Sequence, residues 1–314
     1  MDQNKIELSQ VAPELRSSVR NMPSVLISTA WGRWIVRNIP KLIFREKQYE
    51  NVRIENRTTD EGVVIRFYTP NNSLTGAALL WIHGGGMVMG DVAMDDLFCT
   101  TTAYELAIVI VSVNYRLAPE FPFPAPVDDC YAAWNWLQKS AHQLQIDLTR
   151  VAVGGQSSGG GLAASLAQRI HDTGAVQPIA QWLFCPMLDD RTAAQLELDN
   201  IQHLIWNNWL NRIGWQAFLG TEPGATDVPD YAVPARRKNF GGLPPTWIGI
   251  GDIDLFFDED KAYADKLKSA GVDCTLEIVP GAFHGFERLA NDTKLAQDYL
   301  SRSRDWLRNK LTLA

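Results

Sequence analysis

Ser157 stands in Gly154-Gly155-Gln156-Ser157-Ser158-Gly159-Gly160, directly after the short apolar run Val151-Ala152-Val153 and before a stretch of helical composition from Gly161 to Ile170. Glycines two residues before and two residues after a serine are what a sharp strand-to-helix turn requires. Side chains at Gly155 and Gly159 would collide with the chain as it doubles back, and the serine between them is pushed into a strained, exposed position. In a chain with 23 glycines the bare Gly-x-Ser-x-Gly spacing is weak evidence. The β-branched run before it and the helical run after it give it structural context.

A second signal lies upstream, where Ala77-Ala78-Leu79-Leu80-Trp81-Ile82 leads straight into His83-Gly84-Gly85-Gly86. Three glycines after a buried strand leave backbone N–H groups bare. Donors preorganised in a dry pocket hold the oxyanion of a tetrahedral acyl intermediate, and losing one typically slows such a reaction by about 10²–10³. The donors expected here are the N–H groups of Gly84 and Gly85, joined by that of Ser158 just after the serine, with Gly86 completing the loop.

Around these two signals the chain reads as alternating strand and helix. Val52–Asn56 and Val63–Tyr68 alternate about Asp60-Glu61-Gly62, a hairpin signature that predicts an antiparallel start to the sheet. From Ala77 onward strands are expected at Leu79–Ile82, Ile108–Val113, Val151–Gly154, Ala180–Phe184, Trp247–Ile250 and Thr275–Val279. Helices are expected at Asp128–Lys139, Ser158–His171, Asp258–Ala270 and Leu295–Leu311. That rhythm predicts an α/β protein with a mostly parallel sheet covered on both faces. Residues 190–243 break the rhythm with a Trp206, Trp209 and Trp215 stretch of helical character and a Pro- and Gly-rich return, and are read as an inserted lid. Residues 1–50 are mixed helix-forming sequence whose apolar part, 24–39, carries a few basic residues and is expected to pack over an active-site mouth, with a place on a membrane surface as the alternative.

Composition narrows the function. With 29 basic against 36 acidic residues the net charge is −7, and no basic block exists to meet nucleic acid or an anionic membrane. No apolar run is long enough to span a bilayer and the first residues lack a signal-peptide pattern, so a cytoplasmic location is expected. Cys99, Cys130, Cys185 and Cys274 are widely spaced and are read as buried free thiols rather than disulfides or metal ligands, and no cofactor is expected.

A serine hydroxyl is a poor nucleophile until a base removes its proton, so a histidine and an orienting carboxylate must accompany the turn. Of the five histidines, His142 and His171 sit in polar helical stretches, His203 lies in the lid and His83 precedes the glycines. His284, in Pro280-Gly281-Ala282-Phe283-His284-Gly285-Phe286, follows the last expected strand, where ligand-facing residues of α/β sheets collect. The carboxylate should lie between Ser157 and His284, and Asp252 and Asp254 both qualify at the end of the strand Trp247–Ile250. The other of the two serves the turn.

This ordered set resembles the hormone-sensitive-lipase-like branch of the α/β-hydrolase fold, the bacterial esterase and lipase family with a His-Gly-Gly-Gly loop. It comprises His83 to Gly86, then Tyr115-Arg116-Leu117-Ala118-Pro119-Glu120 with Pro122-Phe123-Pro124-Ala125, the Ser157 turn and Gly281 to Phe286. The likeness runs from about residue 50 to 312. It implies that Asp254, three after Gly251 and four before Asp258-Glu259, is the acid. It further implies that His83 supports the glycine loop and that Tyr115–Glu120 buttresses the site. The hydrolase core would be 51–189 and 244–314, capped by 1–50 and 190–243, and a homodimer through an edge strand is suggested. The chain departs from the pattern at Gln156 and Ser158, where family members usually carry Asp or Thr and Ala. The donor at Ser158 is a backbone group and survives that change.

The expectation is therefore a carboxylic ester hydrolase acting on small to medium acyl esters. An amidase or carbamate hydrolase with the same triad is the alternative, and a small-molecule receptor on this fold a more distant one.

Overall fold

A computed structural model describes residues 4–19, 27, 29–43, 49–72 and 74–312 of the chain. Residues 24–26 and 28 of the stretch expected over the mouth lie outside the described residues. Eight strands form one sheet: β1 (Val52–Thr58), β2 (Val64–Pro70), β3 (Ala78–Ile82), β4 (Val109–Val113), β5 (Val151–Gln156), β6 (Gln181–Phe184), β7 (Thr246–Gly251) and β8 (Cys274–Val279). Their spatial order is β8-β7-β6-β5-β3-β4-β2-β1. β2 runs antiparallel to both β1 and β4, and every other pairing is parallel. The expected hairpin is thus the first two strands, closed by Thr59 N–H donating to Val63 O at 2.9 Å and Gly62 N–H donating to Thr59 O at 3.0 Å.

The longer helices are α1 (Ala30–Ile43), α2 (Asp96–Leu106), α3 (Ala125–Leu144), α4 (Ser158–Thr173), α5 (Asn208–Leu219), α6 (Phe257–Ser269) and α7 (Lys294–Thr312). Side chains alternate between sheet faces along each strand. Ala78, Leu80 and Ile82 enter one core with Val151, Val153, Leu183 and Ile248, whereas Leu79 and Trp81 enter the other with Ala152, Trp182, Phe184 and Trp247. That second face is aromatic. Trp81, Phe98, Trp182, Phe184 and Tyr299 meet at ring-centroid separations of 4.5 to 5.9 Å beneath α2 and α7.

α2 was not foreseen in the sequence. Its Thr100-Thr101-Thr102 run has poor helix propensity, and the helix is held from outside. Arg66 on β2 donates to both Asp96 carboxylate oxygens at 2.9 Å, and Tyr68 Oη donates to Asp96 Oδ1 at 2.8 Å, which anchors the helix's first residue. α3 begins three residues before its expected start because Pro126 sits in the first turn, where a missing N–H costs nothing. Trp206 precedes α5 rather than lying on it. Asn4–Lys5 pairs in parallel with Ile201–Gln202, so the N-terminal stretch and the 190–243 segment meet.

Candidate active site

β5 ends at Gln156, and Ser157 follows with φ 56° and ψ −122°, a conformation that costs a non-glycine residue about 1–3 kcal/mol. Packing over-determines it. A Cβ on Gly155 would stand 2.3 Å from Gly159 O, and one on Gly159 would stand 2.1 Å from Ile82 O and 2.4 Å from His83 O. Three backbone hydrogen bonds complete the clamp: Ser157 N–H donates to Phe184 O at 2.8 Å, and Ser157 O accepts from Met187 N–H at 2.9 Å and Gly161 N–H at 3.1 Å. The hydroxyl is thereby aimed off the carboxyl edge of the sheet.

The loop after β8 brings His284 to it. His284 Nε2 lies 2.9 Å from Ser157 Oγ, and His284 Nδ1 lies 2.8 Å from Asp254 Oδ2. All three residues are buried. The second Asp254 oxygen accepts from Phe256 N–H at 2.9 Å, which fixes the carboxylate in its turn. Asp252 is exposed and accepts from Gly281 N–H at 2.6 Å, so it ties the histidine loop to β7 and does not touch the imidazole. Burial alone lowers the proton affinity of His284. The Asp254 charge and hydrogen bond, with Glu287 adding to them, outweigh burial and leave the imidazole above its ordinary value.

Cys185, Asp254 and His284 each offer an atom within 4.8 Å of the others, a grouping that could hold a metal. Burial pushes the Cys185 thiol well up and keeps it protonated, and Asp254 Oδ2 and His284 Nδ1 are engaged with one another. The set therefore fits an ion poorly, since metal binding needs thiolate and free lone pairs.

On the other side of Ser157, the N–H groups of Gly84 and Gly85 donate to no backbone or side-chain acceptor among the described residues, and Ser158 N–H opens α4, where the first turn leaves donors free. His83 is buried, with Nδ1 2.8 Å from Gly84 O and its ring stacked on Tyr115 at 4.3 Å between centroids. Tyr115 Oη donates to His83 O at 3.1 Å. Burial lowers the His83 pKa, so the neutral ring braces the glycine loop. Glu120 stands apart from this assembly. It is half exposed and pairs at 3.0 Å with Arg37 of α1, which also donates to Val88 O at 2.8 Å and Ala118 O at 2.7 Å. Its link to the site is through α1 and the chain after the glycines.

A cavity of about 900 Å³ opens at Ser157 and His284 and runs between α2 and α7. Trp206 walls its inner end, with its ring 6.5 Å from the His284 ring, and Leu97, Phe98 and Leu300 line the outward course. None of these was singled out in the sequence as lining a site. α2 was unforeseen, and Trp206 had only its place in the lid to recommend it. Glu287 was missed as well; it lies three residues past His284, buried, and lines the same cavity.

A nearly parallel sheet with the serine on a strained turn after its central strand, and with histidine and aspartate on the following loops, defines an α/β hydrolase. A family model described as alpha/beta hydrolase fold matches residues 79–288, and the chain belongs to that family, in its hormone-sensitive-lipase-like branch. Among curated proteins it is similar to Esterase LipI of Mycobacterium tuberculosis (strain ATCC 25618 / H37Rv), 34% identical over 71% of this chain and 70% of that protein. Carboxylesterase NlhH of the same strain is 32% identical over 76% of this chain and 77% of its own length. Among solved structures, a bacterial heroin esterase superposes with a TM-score of 0.90 at 34% identity, covering 97% of this chain and 99% of that one.

Proposed function

We propose that this carboxylic ester hydrolase is a serine carboxylesterase working through an acyl-enzyme intermediate. Ser157 Oγ attacks the ester carbonyl, His284 Nε2 takes its proton and returns it to the leaving alcohol, and Asp254 holds the imidazole in the tautomer that can accept it. The N–H groups of Gly84, Gly85 and Ser158 stabilise the oxyanion, and water then releases the acid. The observation that carries this reading is the unbroken hydrogen-bonded line from Ser157 Oγ through His284 to Asp254 Oδ2, at 2.9 and 2.8 Å. Residues 1–50 and 190–243 act as the cap, with Trp206 as its contact to the reacting centre. No helix among the described residues is long and apolar enough to cross a membrane.

Trp206, a cap side chain with its ring 6.5 Å from that of His284, sets a bulky wall beside the reacting centre, and this favours small to medium acyl groups. The test is hydrolysis of p-nitrophenyl acetate, butyrate, octanoate and palmitate. Rates should peak at acetate or butyrate and fall with chain length; a maximum at palmitate would overturn the size assignment.

The pH dependence follows from His284. The base must be neutral to accept the serine proton, and its carboxylate neighbours favour the protonated form. The acid limb of kcat/KM should therefore have its midpoint above the ordinary histidine value of 6.5. A profile measured from about pH 5 to 9 whose midpoint fell below 6.5 would show that burial, not Asp254, dominates.

A further inference from the structure

Gln156, one of the two residues beside the nucleophile at which the chain departs from the family pattern, is buried between the two loops that flank Ser157. Its Oε1 lies 2.6 Å from where a Cβ on Gly84 would stand, and its Nε2 lies 2.9 Å from where a Cβ on Gly285 would stand. The carboxamide is wedged between the glycine loop and the residue following His284. Both ends of the wedge are bonded. Oε1 accepts from Arg288 Nη1 at 3.1 Å, and Nε2 donates to Glu287 Oε1 at 3.2 Å. The orientation is forced, because the Arg288 guanidinium only donates and so takes the carboxamide oxygen. Arg288 is itself fixed, donating to Met94 O at 2.8 Å and pairing with the buried Asp95 at 2.9 Å. Asp95 in turn accepts from Trp81 Nε1 at 2.7 Å on β3.

We propose that Gln156 is a positioning residue: its carboxamide, held by Glu287 and Arg288, locks the loop carrying His284 against the glycine loop and so sets the Ser157–His284 distance. The inference rests on the triad reading above. An aspartate at position 156 would be one methylene shorter and would offer Glu287 no donor, so the glutamine and Glu287 work as a pair. Glu287 also adds a second negative charge beside His284. The charged groups facing the imidazole are Asp254 and Glu287, while the Cys185 thiol is neutral. Those facing Glu287 are Arg288, His284 and Asp254.

The experiment is a pair swap. Gln156→Glu keeps the size and the Arg288 bond but sets two carboxylates against each other, while adding Glu287→Gln restores one donor and one acceptor. With p-nitrophenyl butyrate, Gln156→Glu should lower kcat by about 10²-fold, since an ångström of misplacement costs that much. KM should stay within about threefold of wild type, because the loss is in the reaction step rather than in binding. Its acid limb should move to higher pH, as a third carboxylate favours the imidazolium. The double variant should recover kcat to within about fivefold of wild type, and its acid limb should return, because the two changes compensate at one contact. If Gln156→Glu alone does not fold, by far-UV circular dichroism, the double variant decides by the same criterion. Gln156→Glu at wild-type rate, or a double variant no better than the single, would overturn the proposal. Ser157→Ala run alongside separates the two readings: if it stays active, the triad reading falls and this one with it, whereas an inactive Ser157→Ala beside an unaffected Gln156→Glu sinks only the positioning role.

Discussion

Replacing Ser157 with alanine is expected to lower kcat for p-nitrophenyl butyrate by about 10⁶-fold, leaving only what the proposed oxyanion donors and substrate binding supply. The size of the effect follows from how a triad works. His284 and Asp254 have no proton to move once the hydroxyl is gone, so removing the proposed nucleophile costs as much as removing the whole set. Alanine is as strained as serine at φ 56°, so the turn gains nothing from the change, and stability should be close to that of wild type. Activity and denaturant midpoint measured on the same preparation check both halves. A residual rate within about tenfold of wild type would mean that another group attacks the ester.

The second large effect separates two neighbouring aspartates. Asp254→Asn should lower kcat by about 10⁴-fold, the magnitude found when the orienting acid of a Ser-His-Asp site becomes an amide and the imidazole takes the wrong tautomer. The geometry around Asp254 allows no substitute. One oxygen faces His284 Nδ1 at 2.8 Å and the other is held by Phe256 N–H at 2.9 Å. Asp252→Asn should leave kcat within about threefold of wild type, because an asparagine oxygen at that exposed position can still accept from Gly281 N–H. Equal losses in the two variants would show that tying down the loop after β8 matters as much as orienting the imidazole.

Much of the architecture could be read from the residues because its signals are local. Strands that bury both faces appear as apolar runs, the hairpin announces itself through Asp60-Glu61-Gly62, and a turn as tight as that at Ser157 excludes side chains at two fixed positions. What escaped the sequence depended on distant partners. α2 carries three consecutive threonines and forms because Arg66 and Tyr68 hold Asp96 while Phe98, Cys99 and Ala103 bury against the aromatic face of the sheet. The cavity it lines was hidden with it. Glu120 read as a buttress of the site by resemblance, yet its partner is Arg37 on α1, 83 residues away in the chain. Neither residue alone signals that pairing.

Residue patterns alone were enough to read a mostly parallel α/β sheet with a serine on a strained turn, a glycine loop after an earlier strand and a histidine after the last strand. Each of these is a short-range matter of steric exclusion and strand periodicity, written into a few adjacent residues. Spacing left Asp252 and Asp254 both open and resemblance chose Asp254; the fold brings Asp254 to the imidazole, and packing alone wedges Gln156 between the glycine and histidine loops. Only the tertiary structure decided that α2, α7 and Trp206 bound the cavity. Chemically equivalent side chains two residues apart differ only in which way the folded turn points them. Contacts across 30 to 132 residues of chain come from the packing of the sheet, which no local pattern encodes.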